Sequence, residues 1–208
     1  MNVLIPFKLV NPKSRLSLFL SREEREKLSQ FMLLDVLKAV SDAGVENVRV
    51  ILQSNAEKIE KILDVDVEVD ERDLDDVIND RLSRNTAVIV SDLPLLNGEI
   101  LRKFFEKKGD IVLAPGRRGG TNMMLIRKEF RVSYHYGSFM KHISIARSMG
   151  LKVSIFDSFF AGCDIDTPDD LLEVLLHSPE SKTGKYLREI GFRIVLSKNP
   201  CLVRVIKA

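Results

Sequence analysis

The chain has 208 residues, 45% of them hydrophobic, and this suits one sizeable α/β domain over residues 1–208 better than two small domains. Its 32 basic and 30 acidic residues leave a formal net charge of only +2, which gives no argument for a nucleic-acid or membrane partner. The first apolar run is too short for a signal peptide, no stretch approaches a membrane span, and two cysteines are too few for a disulfide framework. We therefore expect a cytoplasmic protein whose anion-binding side chains are placed locally.

Strands and helices are predicted to alternate along the chain. A strand covers residues 2–6, and a capping box at Ser21 begins a long helix that ends near Gly44. The pattern then predicts strand 48–52, helix 56–63, strand 65–69, helix 72–84, strand 86–90, helix 97–107, strands 110–114 and 123–126, helix 139–148, strand 151–156, helices after Thr167 and Ser181, and strands 192–196 and 202–206. This order predicts an α/β fold.

The run from Thr86 to Val90 is rich in β-branched residues, which indicates a strand buried on both faces. Ser91 and Asp92 follow it, and Pro94 prevents the strand from continuing. Ligands of open α/β sheets bind outside the carboxyl ends of the strands. Asp92 is therefore expected to reach a ligand or a metal ion.

A second acidic pair precedes a later helix. Thr167 as N-cap and Pro168 as first residue account for the helix start, but helix chemistry does not require Asp164 or Asp166. Two carboxylates on one side of an extended segment repel each other unless a cation lies between them. Together with Asp92 they predict a divalent-cation site, and a solvated loop is the alternative.

A basic loop follows the first strand and contains Lys8, Lys13 and Arg15. A solvated loop is again the alternative, but phosphates commonly bind at this place in an α/β chain. Because the loop has no glycine, side chains and not backbone amides would hold the anion.

Two polar turns complete the candidate residues. One contains Gly119, Gly120 and Thr121, and the other contains Gly137 and Ser138. Surface turns would explain the glycines, and Ser138 is also expected to cap the helix over residues 139–148. Backbone amides, hydroxyls and a helix start also suit a small anion. The three histidines are left unassigned, and the acids of helix 72–84 are expected to form a solvated face.

Six motifs in this order resemble the CofC family of 2-phospho-L-lactate guanylyltransferases of deazaflavin coenzyme biosynthesis. They are Pro6-Phe7-Lys8, Lys13-Ser14-Arg15-Leu16, Ser91-Asp92-Leu93-Pro94-Leu95, Gly119-Gly120-Thr121-Asn122, Tyr136-Gly137-Ser138-Phe139 and Asp164-Ile165-Asp166-Thr167-Pro168. The resemblance covers nearly the whole chain. It implies a single-domain, mixed-sheet, Rossmann-like nucleotidyltransferase fold of the glycosyltransferase A type.

The resemblance also implies a reaction. GTP and a small phosphorylated acid, 2-phospho-L-lactate, would be joined with release of pyrophosphate. Mg²⁺ or Mn²⁺ would lie on Asp92, Asp164 and Asp166; Lys8, Lys13 and Arg15 would hold the triphosphate; and the two glycine turns would hold the acceptor. Phosphoenolpyruvate or a sugar phosphate as acceptor remains an alternative, as does a non-catalytic nucleotide-binding subunit. The residues that select guanine stay open, and so does a homodimer.

Overall fold

A computed structural model describes residues 1–53 and 63–205. Its main sheet has seven strands in the order β3-β2-β1-β4-β6-β5-β7. Strand β6 runs antiparallel to both of its neighbours, β4 and β5, and the other described strands of the sheet run in one direction. The strands are β1 (Asn2–Phe7), β2 (Val48–Leu52), β3 (Asp66–Val69), β4 (Thr86–Ile89), β5 (Ile111–Pro115), β6 (Thr121–Ile126) and β7 (Val153–Ile155). This mixed sheet confirms the predicted fold class.

Helices and a short hairpin surround the sheet. The helices are α1 (Arg22–Asp42), α2 (Leu74–Asn79), α3 (Gly98–Glu106), α4 (Ser138–Ser148), α5 (Phe159–Gly162), α6 (Pro168–His177) and α7 (Lys182–Glu189), and a 3-10 turn covers Ser14–Leu16. Strands β8 (Phe192–Val195) and β9 (Cys201–Arg204) form a separate hairpin. The predicted helix over 56–63 falls almost wholly outside the described residues, as does the end of the predicted strand 202–206.

Both faces of the sheet are buried, which explains why its central strands are apolar at nearly every position. On one face Ile5 and Ile89 pack with Val36 of α1 and Phe104 of α3. On the other face the core contains residues from β4, β6, α2 and α4, including Val88, Met124, Ile78 and Ala146. A third cluster joins α1 to α6, α7 and the hairpin. No helix in residues 1–53 and 63–205 has the length and apolarity that a membrane crossing requires.

Three local expectations differ from the structure. Helix α2 is shorter than the predicted range 72–84. It begins only at Leu74, because Asp73 caps it and accepts the Asp75 N–H at 3.0 Å, and it ends at Asn79. The carboxylate of Asp75 is not solvated as expected, since it accepts the Tyr134 N–H at 2.6 Å. Ser138 is not an N-cap: Gly137 takes that position with a left-handed backbone (φ 68°), a conformation that glycine adopts without strain.

Candidate active site

The predicted site residues meet at the carboxyl edge of the sheet. Strands β1 and β4 end there, Lys8 directly follows β1, Asp92 lies three residues beyond β4, and the antiparallel β6 begins there at Thr121. The segment before α6 is tied to the same edge, because the Ile165 N–H donates to the Asp92 carbonyl at 3.1 Å. That hydrogen bond explains how acids far apart in sequence come together.

Four charged side chains form what we call the strand-end ion cluster: Lys13, Arg15, Asp92 and Asp166. The Lys13 ammonium contacts Oδ2 of Asp92 and lies 3.0 Å from Oδ1 of Asp166. The Arg15 Nη1 lies 2.6 Å from Oδ2 of Asp166. The backbone of Lys13 is left-handed (φ 52°), which is uncommon for a residue with a long side chain. Lys13 and Arg15 of the basic loop are thus ion-paired with the two acids.

The charges in this cluster stabilise one another. Burial alone would raise the pKa of Asp166, but the cations Lys13, Arg15 and Arg118 outweigh burial and lower it. Burial opposes the charge of Lys13 in turn, and the carboxylates of Asp92 and Asp166 outweigh that effect and raise the pKa of the ammonium. Both groups are therefore charged at neutral pH.

Asp164 lies beside this cluster in a different environment. Its Oδ1 accepts a hydrogen bond from Nδ2 of Asn122 at 3.3 Å. Burial, followed by the nearby charge of Asp92, raises the pKa of Asp164. The Oδ1 of Asp92 is itself buried and has no hydrogen-bond partner. Asp92 thus has a buried carboxylate oxygen without a partner, and it lies close to a second carboxyl group whose pKa is raised. These oxygen donors fit a hard cation such as Mg²⁺.

The three acids do not form a ready-made ligand triad. Among the residues described, Asp92, Asp164 and Asp166 do not bring one oxygen each within 4.8 Å of one another. Asp166 faces basic side chains instead, with Nη1 of Arg118 at 3.3 Å in addition to Lys13 and Arg15. The fit to a cation is therefore best at Asp92 and Asp164, and the metal role of all three stays a prediction.

A group with metal-type ligands also lies elsewhere, at Asp73, Asp75 and His135. The Nε2 of His135 is 3.4 Å from Asp73 and 3.5 Å from Asp75. Each carboxylate already accepts a backbone hydrogen bond at the start of α2 or from Tyr134. These contacts account for the group as part of the packing of α2 against the segment before α4.

Two cavities open at the strand ends and share Phe7, Lys8, Ser91 and Asp92. The first has a volume of about 270 Å³ and is lined by the basic loop and the acids Asp92 and Asp166. The second has a volume of about 400 Å³ and extends across the ends of β1, β2 and β4 towards α2, with more apolar than polar lining. A charged compartment is thus continuous with a largely apolar one.

The two glycine turns meet, as predicted. We call Thr121, Ser138 and His142 the hydroxyl–imidazole cluster; all three are buried. The Thr121 N–H donates to Oγ of Ser138 at 2.9 Å, and the Phe139 N–H donates to the Gly119 carbonyl at 3.2 Å. Both predicted hydroxyls therefore have partners within the protein, and their contact with an acceptor stays a prediction.

His142 holds this cluster together. Its Nε2 accepts the Ser133 N–H at 2.9 Å, so the neutral ring carries its proton on Nδ1 and donates to Oγ1 of Thr121 at 2.8 Å. Burial lowers the pKa of His142 to about 4 and keeps the ring neutral. The glycines of the two turns, unlike these hydroxyls, face open space. A Cβ atom built at Gly119, Gly120 or Gly137 would meet no other atom within 4 Å.

Three further residues shape the site. Asn122 donates a hydrogen bond to Asp164. A Cβ atom at Gly116 would collide with the side-chain oxygen of Asn122. Arg118 contacts Asp166, and Arg117 pairs with Asp170 at the start of α6. Arg117 and Arg118 directly precede the Gly119-Gly120-Thr121-Asn122 motif and Asn122 is its last residue, and this position in the sequence was the available signal.

Comparison with known proteins relates the whole chain to one family. A family model described as "Guanylyl transferase CofC like" matches residues 1–208. The chain is 52% identical over 208 residues to a 2-phospho-L-lactate guanylyltransferase of Archaeoglobus profundus, covering 99% of this chain and 98% of that protein. It is 50% identical over 206 residues to the enzyme of that name from Archaeoglobus fulgidus, covering 98% and 97%.

Solved structures support the fold at lower identity. A Methanothermobacter nucleotidyl transferase has a TM-score of 0.59 at 14% identity, covering 90% of this chain and 99% of that one. The inositol-1-phosphate CTP transferase of T. maritima has a TM-score of 0.52 at 16% identity, covering 86% and 97%. The fold is therefore that of the nucleotidyltransferases, and by its match over the full length the chain belongs to the CofC family of guanylyl transferases.

Proposed function

We propose that this protein transfers the guanylyl group of GTP to the phosphate of 2-phospho-L-lactate and releases pyrophosphate, a step of deazaflavin coenzyme biosynthesis. The observation that carries the proposal is the full-length match to relatives of that name at 47–52% identity. The strand-end ion cluster supports it, because it provides both carboxylates and phosphate-binding cations at one edge of the sheet. A cytoplasmic location, where such phosphorylated metabolites occur, is part of the proposal.

In this reaction an oxygen of the acceptor phosphate attacks the α-phosphorus of GTP in line. The bond from the α-phosphorus to the bridging oxygen breaks, and pyrophosphate leaves with that oxygen. Because the acceptor phosphate is already ionised, the protein does not have to supply a base. Its main tasks are to hold two anions together and to compensate their charge.

Lys8, Lys13 and Arg15 are suited to the triphosphate, since all three line the first cavity. On binding, Lys13 and Arg15 would exchange carboxylate partners for phosphate oxygens, with charge-assisted hydrogen bonds in both states. Asp166 would then be free of two of its three basic partners. This exchange links nucleotide binding to the exposure of an acid that was predicted as a metal ligand.

A divalent cation fits the carboxylates described above. Asp92 and Asp164 would hold Mg²⁺ or Mn²⁺, and Asp166 would join them once its basic partners turn to the phosphates. When bound, the ion would neutralise part of the charge of the phosphates. The unpartnered oxygen of Asp92 supports this assignment, because a buried acceptor without a donor is costly unless a ligand completes it.

The remaining subsites follow from the position of Asp92 near the middle of the sheet. The second cavity, on the β1–β2 side, would take the nucleoside. The hairpin between β5 and β6 lies on the opposite side of β4 and would take the acceptor, with Gly119, Gly120 and Gly137 offering close backbone approach.

The proposal is tested by incubating the purified protein with GTP, Mg²⁺ and one acceptor at a time, and measuring pyrophosphate and the guanylylated product by mass spectrometry. We expect product with 2-phospho-L-lactate, and phosphoenolpyruvate and a sugar phosphate serve as comparisons. A faster reaction with the sugar phosphate would reassign the acceptor. Tight GTP binding without pyrophosphate release from any acceptor would favour a non-catalytic subunit.

A further inference from the structure

Arg72 lies just beyond the end of β3. Its side chain is 53% exposed and lines the second cavity, which also borders Asp92 and Lys8. Sequence reasoning placed Arg72 at the start of a helix with a solvated face and gave it no function. In the structure it lies before that helix, at the rim of a cavity continuous with the charged compartment.

Two acids hold the guanidinium group of Arg72 in place. Its Nε and Nη2 donate to the two oxygens of Asp70 at 3.0 and 2.8 Å, and its Nη1 donates to Asp80 at 2.7 Å. Hydrogen bonding to these acids raises the pKa of Arg72 further, so the group is always charged. Asp70 also accepts a hydrogen bond from Arg81 at 2.7 Å. The orientation of the guanidinium therefore does not depend on a ligand.

These contacts leave a specific set of donors. A guanidinium has five N–H groups, and three of them are engaged by Asp70 and Asp80. The two that remain are one on each terminal nitrogen. A donor pair on the two terminal nitrogens matches a pair of adjacent acceptors, which is how arginine binds carboxylates, phosphates and guanine.

The cavity beside Arg72 suits a flat aromatic base. Its walls include the apolar side chains of Ile51, Leu74, Val77 and Val90, together with Arg72 and the strand-end residues Lys8 and Asp92. A base in this cavity would leave its triphosphate within the adjoining charged compartment, which shares Lys8 and Asp92 with it. The cavity thus offers apolar surface for the faces of a ring and fixed donors for one edge.

We propose that Arg72 selects guanine by donating to its O6 and N7, a proposal that rests on the proposed nucleotidyltransferase function. Guanine presents two acceptors on this edge, whereas adenine presents the N7 acceptor beside an N6 amino donor. Adenine would therefore oppose one arginine donor with another donor and leave both unpartnered. Asp70 and Asp80 act as positioning residues, since they hold the donors of Arg72 before the base arrives.

The test compares Arg72→Lys and Arg72→Ala with a matched control, Arg81→Lys. Arg81 pairs with the same oxygen of Asp70 but does not line the cavity. Lysine keeps the charge at either position but cannot present a two-donor fork. For each protein, kcat/KM for pyrophosphate release is measured with GTP, ATP and 2-aminopurine riboside triphosphate, which lacks O6. Equilibrium binding of the same three nucleotides is measured in parallel, and thermal unfolding reports the fold.

We expect the parent and Arg81→Lys to prefer GTP over the nucleotide without O6 by roughly 10- to 100-fold, the range expected for a bidentate base contact. Both Arg72 variants should lose most of this preference, because GTP loses the contacts to O6 and N7 whereas the nucleotide without O6 loses only the contact to N7. An unchanged preference in a folded Arg72 variant would overturn the assignment, as would an equal loss in Arg81→Lys. If the parent released no pyrophosphate, the proposed function would fail, but the binding preference would still decide the role of Arg72.

Discussion

Two groups of polar side chains lie at the same edge of the sheet and differ in how completely the protein satisfies them. In the hydroxyl–imidazole cluster, Thr121, Ser138 and a neutral His142 are joined by short hydrogen bonds. In the strand-end ion cluster, Asp92 keeps a buried oxygen without a partner. Beside it, the pKa of Asp164 is raised by burial and by the charge of Asp92.

The difference indicates different tasks. Buried polar groups are normally hydrogen-bonded, and exceptions occur where a ligand completes the site. A satisfied neutral cluster stabilises the turn that it joins, whereas an incompletely satisfied charged cluster has capacity for a cation and phosphates. We therefore expect substitutions in the ion cluster to affect activity most, and substitutions in the hydroxyl–imidazole cluster to affect stability most.

The largest effect is expected from Asp92→Asn, which keeps the shape of the side chain and removes its charge. We expect kcat to fall by roughly 10²- to 10³-fold, the range seen when one preorganised electrostatic contact is lost. Asp166→Asn should act in the same direction. Pyrophosphate release at saturating GTP and Mg²⁺ measures the effect, and circular dichroism checks the fold. Parent-level activity in both variants would remove the metal assignment.

Arg15→Ala and Lys13→Ala are expected to have the next largest effect, on GTP binding. Each loses a charge-assisted contact of about 1.5–3 kcal/mol, which corresponds to a roughly 10- to 150-fold weaker affinity. Lys38→Ala is a suitable control, because Lys38 is an exposed residue of α1 that pairs with Asp42. Titration calorimetry at two salt concentrations should show weaker binding by the parent at high salt as well. Unchanged affinity in both variants would leave the loop without a binding role.

Thr121→Val tests the other cluster. The substitution removes the acceptor of the His142 Nδ1–H, and a buried donor without a partner costs about 1–3 kcal/mol. We therefore expect a lower free energy of unfolding in urea, with the KM for GTP unchanged. The resemblance to the family also predicts a higher KM for the acceptor. Steady-state kinetics with each substrate varied in turn separates the roles, and parent-like stability would contradict the structural one.

The smallest effect concerns pH. The pKa of His142 is lowered from 6.5 to about 4 in the folded protein, so the unfolded chain binds a proton first as the pH falls. The stabilisation is fully present above pH 6.5 and is lost progressively towards pH 4. Between pH 6.5 and 5.5 the contribution should decrease by about 1 kcal/mol. Urea unfolding of the parent and of His142→Leu at both pH values measures this contribution. An equal change in the free energy of unfolding between the two pH values in both proteins would contradict a buried neutral ring.

Much of the fold follows from local patterns in the sequence. The apolar runs of β1, β2 and β4, the caps at Ser21 and Thr167, and the helix starts near Asn97 and Ser181 were predicted at or near their observed positions. Helix α2 was predicted too long, because the apolar period continues beyond Asn79 while the observed helix ends there. Ser138 was wrongly taken as an N-cap, because the sequence does not show that Gly137 has a left-handed backbone.

The site was predictable in its residues but not in its pairings. The carboxyl-end rule located Lys8 and Asp92, and carboxylate repulsion singled out Asp164 and Asp166. The sequence could not reveal that Lys13 bridges Asp92 and Asp166, because these contacts join residues that are 79 and 153 positions apart in the chain. The partners of Thr121 and the position of Arg72 beside the second cavity likewise depend on tertiary packing.

The most direct test of the contrast between the two clusters is Mn²⁺ binding, measured by electron paramagnetic resonance with a non-hydrolysable GTP analogue. We predict that the parent and Thr121→Val bind Mn²⁺ equally and that Asp92→Asn binds it at least about tenfold more weakly, a difference of about 1.4 kcal/mol. Equal Mn²⁺ affinity in Asp92→Asn and the parent would contradict the account, as would a loss confined to Thr121→Val.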